Sequence, residues 1–140
     1  MRFKIKKIKT SDLKFNVLTH ILQKKFIPGA KKGEKTYELS TENLNEVSID
    51  ILNSFMHKKI GFDELKRFLP VDYKKGICRP LFYLSDEEIM LYAKINKIKG
   101  KIQNIKDKRE GWVDNFIKEF EKSDPDVRHA IVNSVLKLVK

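Results

Sequence analysis

The sequence predicts an α/β domain in which two or three short strands are combined with about six helices. Three observations lead there. Short runs rich in strand formers, at residues 2–9, 36–39 and 77–83, are separated by stretches whose apolar side chains recur at helical spacing. That α-β-α-β order favours parallel strands joined by right-handed crossovers. The third observation is the junction RPLFYLSDEEIMLYA at residues 79–93, around which the chain is organised. Residues 77–83 read as a strand, and Pro80 places it at an edge or at a position without a ladder donor. Ser85 then opens a helix. Its hydroxyl can accept the Glu88 amide while Glu88 reaches back, a capping box, and Leu84 and Ile89 hold the two positions of a hydrophobic staple.

Taken in order, residues 2–9 (RFKIKKIK) alternate at Phe3 and Ile5 before losing register, which predicts a short first strand. Thr10 or Ser11 can cap a helix with Val17, Leu18, Ile21 and Leu22 on its apolar face and Phe26 closing it. Pro28 and Gly29 end it, and Lys31, Lys32 and Gly33 make a basic turn. Residues 36–39 read as a buried strand. Ser40 or Thr41 caps the strongest helix, with Leu44, Val47, Ile51, Leu52 and Phe55 on one face. Glu42 in its first turn and His57, Lys58 and Lys59 in its last suit the helix dipole. A short helix at 62–68 leads to Pro70, and Lys74, Lys75 and Gly76 turn the chain into the strand at 77–83. Ile95, Ile98, Ile102 and Ile105 then step by three, four and three residues, a helical stripe among lysines. Gly100 breaks or bends it, at about 1 kcal/mol relative to Ala. Two helices close the chain. One carries Trp112, Val113, Phe116, Ile117 and Phe120 on one side; the other opens at Asp124-Pro125 and buries Val127, Ile131, Val135 and Leu138.

A chain of 140 residues predicts one domain, 1–140, and 41% apolar residues suffice for a core. The single cysteine, Cys78, excludes an internal disulfide and a multi-cysteine metal site, and suits a reducing, cytoplasmic setting. No apolar run approaches the ~20 residues of a membrane span. The basic N-terminus is followed by no apolar signal core, so no export signal is expected. Charge is the strongest compositional signal: thirty Lys and Arg against nineteen Asp and Glu give +11. Such an excess favours an anionic partner, most often nucleic acid, although a lysine-rich proteome raises Lys as well.

Three phrases, in their order and spacing, resemble a known family. They are STENLNEVSIDILNSF at 40–55, RPLFYLSDEEIMLYA at 79–93 and WVDNFIKEFEKSDPDVRHAIVNSV at 112–135. They look like, in turn, three segments of the PP-loop (N-type) ATP pyrophosphatases of the tRNA 2-thiolation type. The first is Gly-His-Asn-x-Asp-Asp with its helix. The second is the last core strand, running through Arg/Lys-Pro-Leu into an acidic helix start and Tyr-Ala. The third is the closing helical pair. The resemblance covers roughly residues 11–140 and matches the C-terminal half of such a domain. It implies a partial Rossmann-like sheet of the adenine nucleotide alpha hydrolase kind. Half of such a sheet leaves an open edge, and open edges seek partners. A homo- or hetero-oligomer is therefore expected, including docking on a subunit that carries the ATP loop.

The family's motifs are altered here. Its nucleotide loop, Ser-Gly-Gly-x-Asp-Ser, cradles pyrophosphate with backbone amides and needs its glycines for close approach. The six glycines of this chain are scattered, and the missing loop is expected to lie before residue 1. Matched to the second motif, residues 40–46 keep Asn43 and carry Asn45 and Glu46 where the family has aspartates, so Asn43, Asn45 and Glu46 form a degenerate version of it. Glu42, Asn43, Asn45 and Glu46 also read as an ordinary acidic helix start. The family's sulfur chemistry uses several cysteines; Cys78 alone reads better as a small core residue, with Arg79 the one hint of thiol activation. His20, His57 and His129 have no paired ligand at i+3 or i+4, so no metal site is expected. Asp86, Glu87 and Glu88 are explained by their place at a helix start. No catalytic residue and no cofactor are assigned.

The expectation is a degenerate or split PP-loop tRNA-thiolation-like protein, not catalytic on its own, that binds tRNA or another RNA, or a partner subunit. Candidate phosphate-binding residues are Arg79, Lys94, Lys97, Lys99, Lys101, Lys106, Lys108 and Arg109. Two alternatives stay open: a general basic nucleic-acid-binding module, and a structural or assembly subunit of a protein complex. Aromatics are not interleaved with these lysines as in stacking platforms, because Phe and Tyr fall at core-like positions.

Overall fold

The computed structural model describes residues 2–5, 12–23, 36–57, 60–102 and 107–139. The expected caps at Thr10 or Ser11, the turn at Lys31–Gly33, Phe26, Ile105 and Lys106 lie outside them. The order is β1 (Arg2–Ile5), α1 (Leu13–Gln23), β2 (Thr36–Leu39), α2 (Leu44–His57), a 3-10 helix (Phe62–Phe68), β3 (Val71–Asp72), β4 (Ile77–Cys78), α3 (Asp86–Ile95), α4 (Lys108–Glu121) and α5 (Val127–Val139). The α/β class holds. Among the described residues one four-stranded sheet forms, ordered β1-β2-β4-β3. β1 pairs with β2 in parallel, with Phe3 opposite Tyr37 and Ile5 opposite Leu39. β2 pairs with β4 in parallel, and β3 joins β4 antiparallel. β3 is the strand that sequence pattern does not signal, being two residues long.

Tyr37 and Leu39 are buried while Glu38 between them is exposed, so β2 buries one face and not two. The turn expected at residues 74–76 forms and here closes a β3–β4 hairpin. Asp72 Oδ1 accepts the amides of Lys74 and Lys75, both at 3.1 Å, and Gly76 takes φ 68°, which only glycine adopts without strain.

Two expected elements differ. β4 is shorter than the strand expected at 77–83: after Cys78 the chain folds into turns, with the Phe82 amide on the Arg79 carbonyl at 3.2 Å and that of Leu84 on Leu81 at 3.0 Å. Pro80 lacks a donor and fixes φ, so pairing stops there. Leu81 and Phe82, adjacent, are 0% and 1% exposed and enter two different core clusters. The isoleucine stripe, over its described residues Ile95, Ile98 and Ile102, is also not a continuous helix. α3 ends at Ile95, and Lys97 adopts φ 54°. The Ile98 amide reaches the Ala93 carbonyl at 2.8 Å and that of Lys97 the Lys94 carbonyl at 3.4 Å, a Schellman arrangement. Ile98 and Ile102 instead turn inward beside Ala93.

Packing follows from these elements. Leu13, Val17 and Leu18 of α1 meet Ile89 and Ala93 of α3 over Leu39 and Leu81. Leu44, Val47 and Ile51 of α2, Leu65 and Phe68 of the 3-10 helix, and Val132 and Val135 of α5 surround Phe82. Val113 and Ile117 of α4 close on Ile49 of α2. The outer residues of α4 depart from expectation: Trp112, Phe116 and Phe120 are 52%, 39% and 49% exposed. Phe55 and Leu138, expected inside, are also exposed.

Candidate functional site

Because β1, β2 and β4 run parallel, their carboxyl ends share one edge of the sheet, the edge where open α/β sheets place their ligands. The starts of α1, α2 and α3 follow those ends in sequence, and their polar side chains meet. Asn43 is fully buried, and its Oδ1 accepts the Glu46 amide at 3.4 Å, so Asn43 caps α2 in place of Ser40 or Thr41. Its Nδ2 donates to Asp86 Oδ1 at 2.7 Å. Asn45 Oδ1 accepts the Asp86 amide at 3.0 Å, binding the start of α3 to that of α2. Lys14, 4% exposed, pairs with Glu46 and lies 3.8 Å from Asp86 Oδ1. The expected capping box at Ser85 and Glu88 is formed and orients α3.

Sequence reading placed Asn43, Asn45 and Glu46 in one motif and missed Lys14 and Asp86 as their partners. A signal for Lys14 existed. It stands three, four and seven residues before Val17, Leu18 and Ile21, on the apolar stripe of α1, and at a helix start where the dipole disfavours a cation. A buried lysine there needs carboxylate partners.

Burial raises the Glu46 carboxyl above the ordinary value of 4.5; the Lys14 ammonium opposes this, and the carboxylates of Glu42 and Asp86 add to it. With the folded value raised, the folded state holds its proton more tightly than the unfolded chain does. Glu46's contribution to stability is then complete below 4.5 and lost as pH rises through the folded value. Glu46→Gln is therefore expected to gain stability relative to the unsubstituted chain as pH rises from 4.5 through that window. Urea midpoints across a pH series test this, and parallel curves for the two proteins would contradict it.

Beside this cluster lies an open cleft of ≈ 510 Å³, lined among others by Leu13, Asp86, Met90, Lys94, Ile98 and Lys101. Its outer wall is held through two backbone carbonyls: the Leu13 amide donates to that of Lys101 at 3.0 Å, and the Asn16 side chain, through Nδ2, to that of Lys99 at 2.8 Å. Gly100, at φ 138°, permits this path. Lys94, Lys97, Lys99 and Lys101 are all exposed, the first and last on the cleft itself. Lys108 and Arg109 are exposed on the first turn of α4, and Lys106 lies outside the described residues. Arg79, expected among the phosphate-binding residues, is turned inward. It is 9% exposed, with Nε on Glu42 at 3.2 Å and Nη1 on the Leu69 carbonyl at 2.8 Å, because the turn after β4 points its side chain inward.

The residues do not fit the groups that the resemblance implies. The loop Ser-Gly-Gly-x-Asp-Ser, whose glycines would let backbone amides cradle a pyrophosphate, occurs nowhere in the 140 residues. Cys78 is a single, half-buried thiol, pushed up by burial against the opposing effect of Arg79. Among the described residues no group of three or more His, Cys, Asp or Glu could hold a metal ion, and no helix is long and apolar enough to cross a membrane.

The strand order and the shared carboxyl edge define a Rossmann-like α/β fold. Among solved structures, the chain is similar to the U34-tRNA thiolase NcsA from Methanococcus maripaludis with its 4Fe-4S cluster. The TM-score is 0.57 at 16% identity, over 88% of this chain and 40% of that one. At that identity the likeness is one of fold, and the chain spans 40% of the neighbour's length. No family model matches the sequence, and no curated protein matches it either.

Proposed function

We propose that the chain is a degenerate or split PP-loop tRNA-thiolation-like protein, not catalytic on its own, that binds tRNA or another RNA in the cytoplasm. The observation that supports this best is the carboxyl edge. Asn43, which the resembled family also has, and Asn45, which stands where that family has an aspartate, bond to helix starts and to Asp86, and Glu46, at the second aspartate position, is held by Lys14. The adjoining cleft presents Lys94 and Lys101. The fold neighbour's name, a tRNA thiolase, points to RNA as the class of polyanion. Lys97 adds to the case. A lysine at φ 54° costs about 1–2 kcal/mol where glycine would be unstrained, and such strain is more often kept at functional positions. Arg79, already paired, is left out of the phosphate-binding set, which becomes Lys94, Lys97, Lys99, Lys101, Lys106, Lys108 and Arg109. An oligomer, with another copy or with a subunit carrying the ATP loop, belongs to the same reading.

The test is binding to tRNA and to duplex DNA of equal length at low and moderate salt. Tighter tRNA binding that survives moderate salt is expected. Lys97→Glu, Lys99→Glu, Lys101→Glu, Lys108→Glu and Arg109→Glu together should weaken it at least tenfold, and should flatten the salt dependence by about one unit of slope for each phosphate no longer neutralised. Equal affinity for both polymers would favour the general basic module. No binding, together with a stable hetero-oligomer, would favour the assembly subunit. ATP turnover by this chain alone would overturn its assignment as non-catalytic.

A further inference from the structure

The cleft beside the carboxyl edge is lined by unlike groups, and a site for phosphate alone would not need them all. Its body is apolar, with Leu13, Met90, Ile98 and Ile102 facing it. Its ≈ 510 Å³ is of the size that holds a small molecule, and such pockets combine apolar walls with a few polar groups that fix orientation. Here one carboxylate, Asp86, and two ammonium groups, Lys94 and Lys101, supply the polar part.

The two oxygens of Asp86 differ. Oδ1 accepts from Asn43 Nδ2 at 2.7 Å and lies 3.8 Å from the Lys14 ammonium. Oδ2 has no partner among the described residues. A carboxylate only accepts, so a ligand must meet it with donors. An anionic group is kept from this end. Asp86, Glu87 and Glu88 crowd the first turn of α3, and the Asp86 and Glu88 amides are already bonded to Asn45 and Ser85. The cations stand elsewhere. Lys94 comes eight residues later on α3, about 12 Å along the helix, and Lys101 is on the facing segment, pinned by its carbonyl to the Leu13 amide. Both lysines are exposed, and neither has a carboxylate partner among the described residues.

A flat apolar body with donors at one end and an anion at the other describes a nucleotide; an amino acid, whose charges are adjacent, cannot span the cleft. The bases differ at the donor end. Guanine offers two adjacent donors, N1–H and N2–H, on its Watson–Crick edge. Adenine and cytosine set a ring acceptor beside their amino group, and uracil flanks its one N–H with carbonyls, so each turns an acceptor toward the carboxylate. We infer that the cleft is a guanine-nucleotide site. The base lies between Met90 and the wall of Ile98 and Ile102, its donors on Oδ2 and the remaining lone pair of Oδ1, and its phosphate on Lys94 and Lys101. A free nucleotide and an unpaired guanosine of an RNA strand present the same chemistry; the second source rests on the RNA-binding reading above.

Titration calorimetry of the full chain with GMP, AMP and guanosine tests the free nucleotide. GMP is expected to bind about five- to a hundredfold more tightly than AMP, the discrimination of one bidentate pair. Asp86→Asn keeps an acceptor for Asn43 and puts a donor in place of Oδ2, so the preference for guanine should vanish. Lys94→Ala with Lys101→Ala should weaken GMP to the level of guanosine; both side chains are exposed, and circular dichroism checks the fold. A labelled RNA hairpin with one unpaired guanosine in its loop, compared by anisotropy with the same hairpin carrying adenosine there, distinguishes the source. Preference for the guanosine hairpin, competed by GMP, supports the RNA source. GMP preferred over AMP, with no RNA bound, supports the free nucleotide and defeats the RNA reading alone. RNA bound whatever its loop base, with GMP and AMP alike, overturns the inference and leaves the RNA reading standing. No binding by any of these probes defeats both.

Discussion

Phe82→Ala is expected to destabilise the protein by about 3–5 kcal/mol, and Leu81→Ala by about 2–5 kcal/mol. Both side chains are fully buried, yet in different places: Phe82 lies among α2, α5 and the 3-10 helix, Leu81 between α1 and α3. The turn after Cys78 allows adjacent residues to serve two cores, which a strand cannot do while one face is open to water. Tyr83, half exposed and edge-on to Phe82 at 4.9 Å, should cost under about 1 kcal/mol when truncated. Urea denaturation of the three variants distinguishes the two geometries. If one of Leu81 and Phe82 proves nearly neutral, residues 81–82 extend the strand and the turn is misplaced.

What could be read from the sequence and what could not follow a physical division. The Ser85–Glu88 capping box is a local device whose partners lie three residues apart, and it formed as expected. The helical spacing of Leu44, Val47 and Ile51 also fixed the inner face of α2, since periodicity reports burial directly. Lys97 broke the isoleucine stripe through a left-handed residue that lysine rarely supplies, so periodicity over 95–102 misled. Helical spacing put Trp112, Phe116 and Phe120 on one side of their helix with Val113 and Ile117, and the structure buries only the last two. Which side of an amphipathic helix faces inward depends on the neighbour, and here Val113 and Ile117 are the ones that meet Ile49. At the carboxyl edge, the three residues of one local motif were legible. Their partners Lys14 and Asp86 lie 32 and 43 residues away from Glu46 and Asn43, a separation that no short-range rule bridges.

Removing Arg128 is expected to be as damaging as removing Phe82. Its side chain is 3% exposed and ends in a pair with Asp114 at 2.8 Å and with Glu121 at 2.9 Å, while Nη1 donates to Ser48 Oγ at 3.2 Å. Arg128→Met keeps the apolar stem and leaves Asp114, itself 5% exposed, short of its buried partner. Breaking a buried pair from one side typically costs about 3–5 kcal/mol. Lys118, the other cation on Asp114, is 59% exposed, so Lys118→Ala should change stability by no more than about 1 kcal/mol. Adding Asp114→Leu to Arg128→Met should recover much of the loss, because the stranded charge is then gone. The consequence reaches the candidate site. Nη1 also reaches the Asn45 carbonyl at 3.5 Å, and Asn45 holds the Asp86 amide, so α5 steadies the junction of α2 and α3 through one guanidinium. Amide exchange at Asp86 should therefore accelerate in Arg128→Met well before global unfolding, and remain slow in Lys118→Ala. Equal losses of stability in those two variants would mean that Arg128 is an ordinary surface-strength pair, and that the carboxyl edge is held by its own Lys14, Glu46 and Asp86 alone.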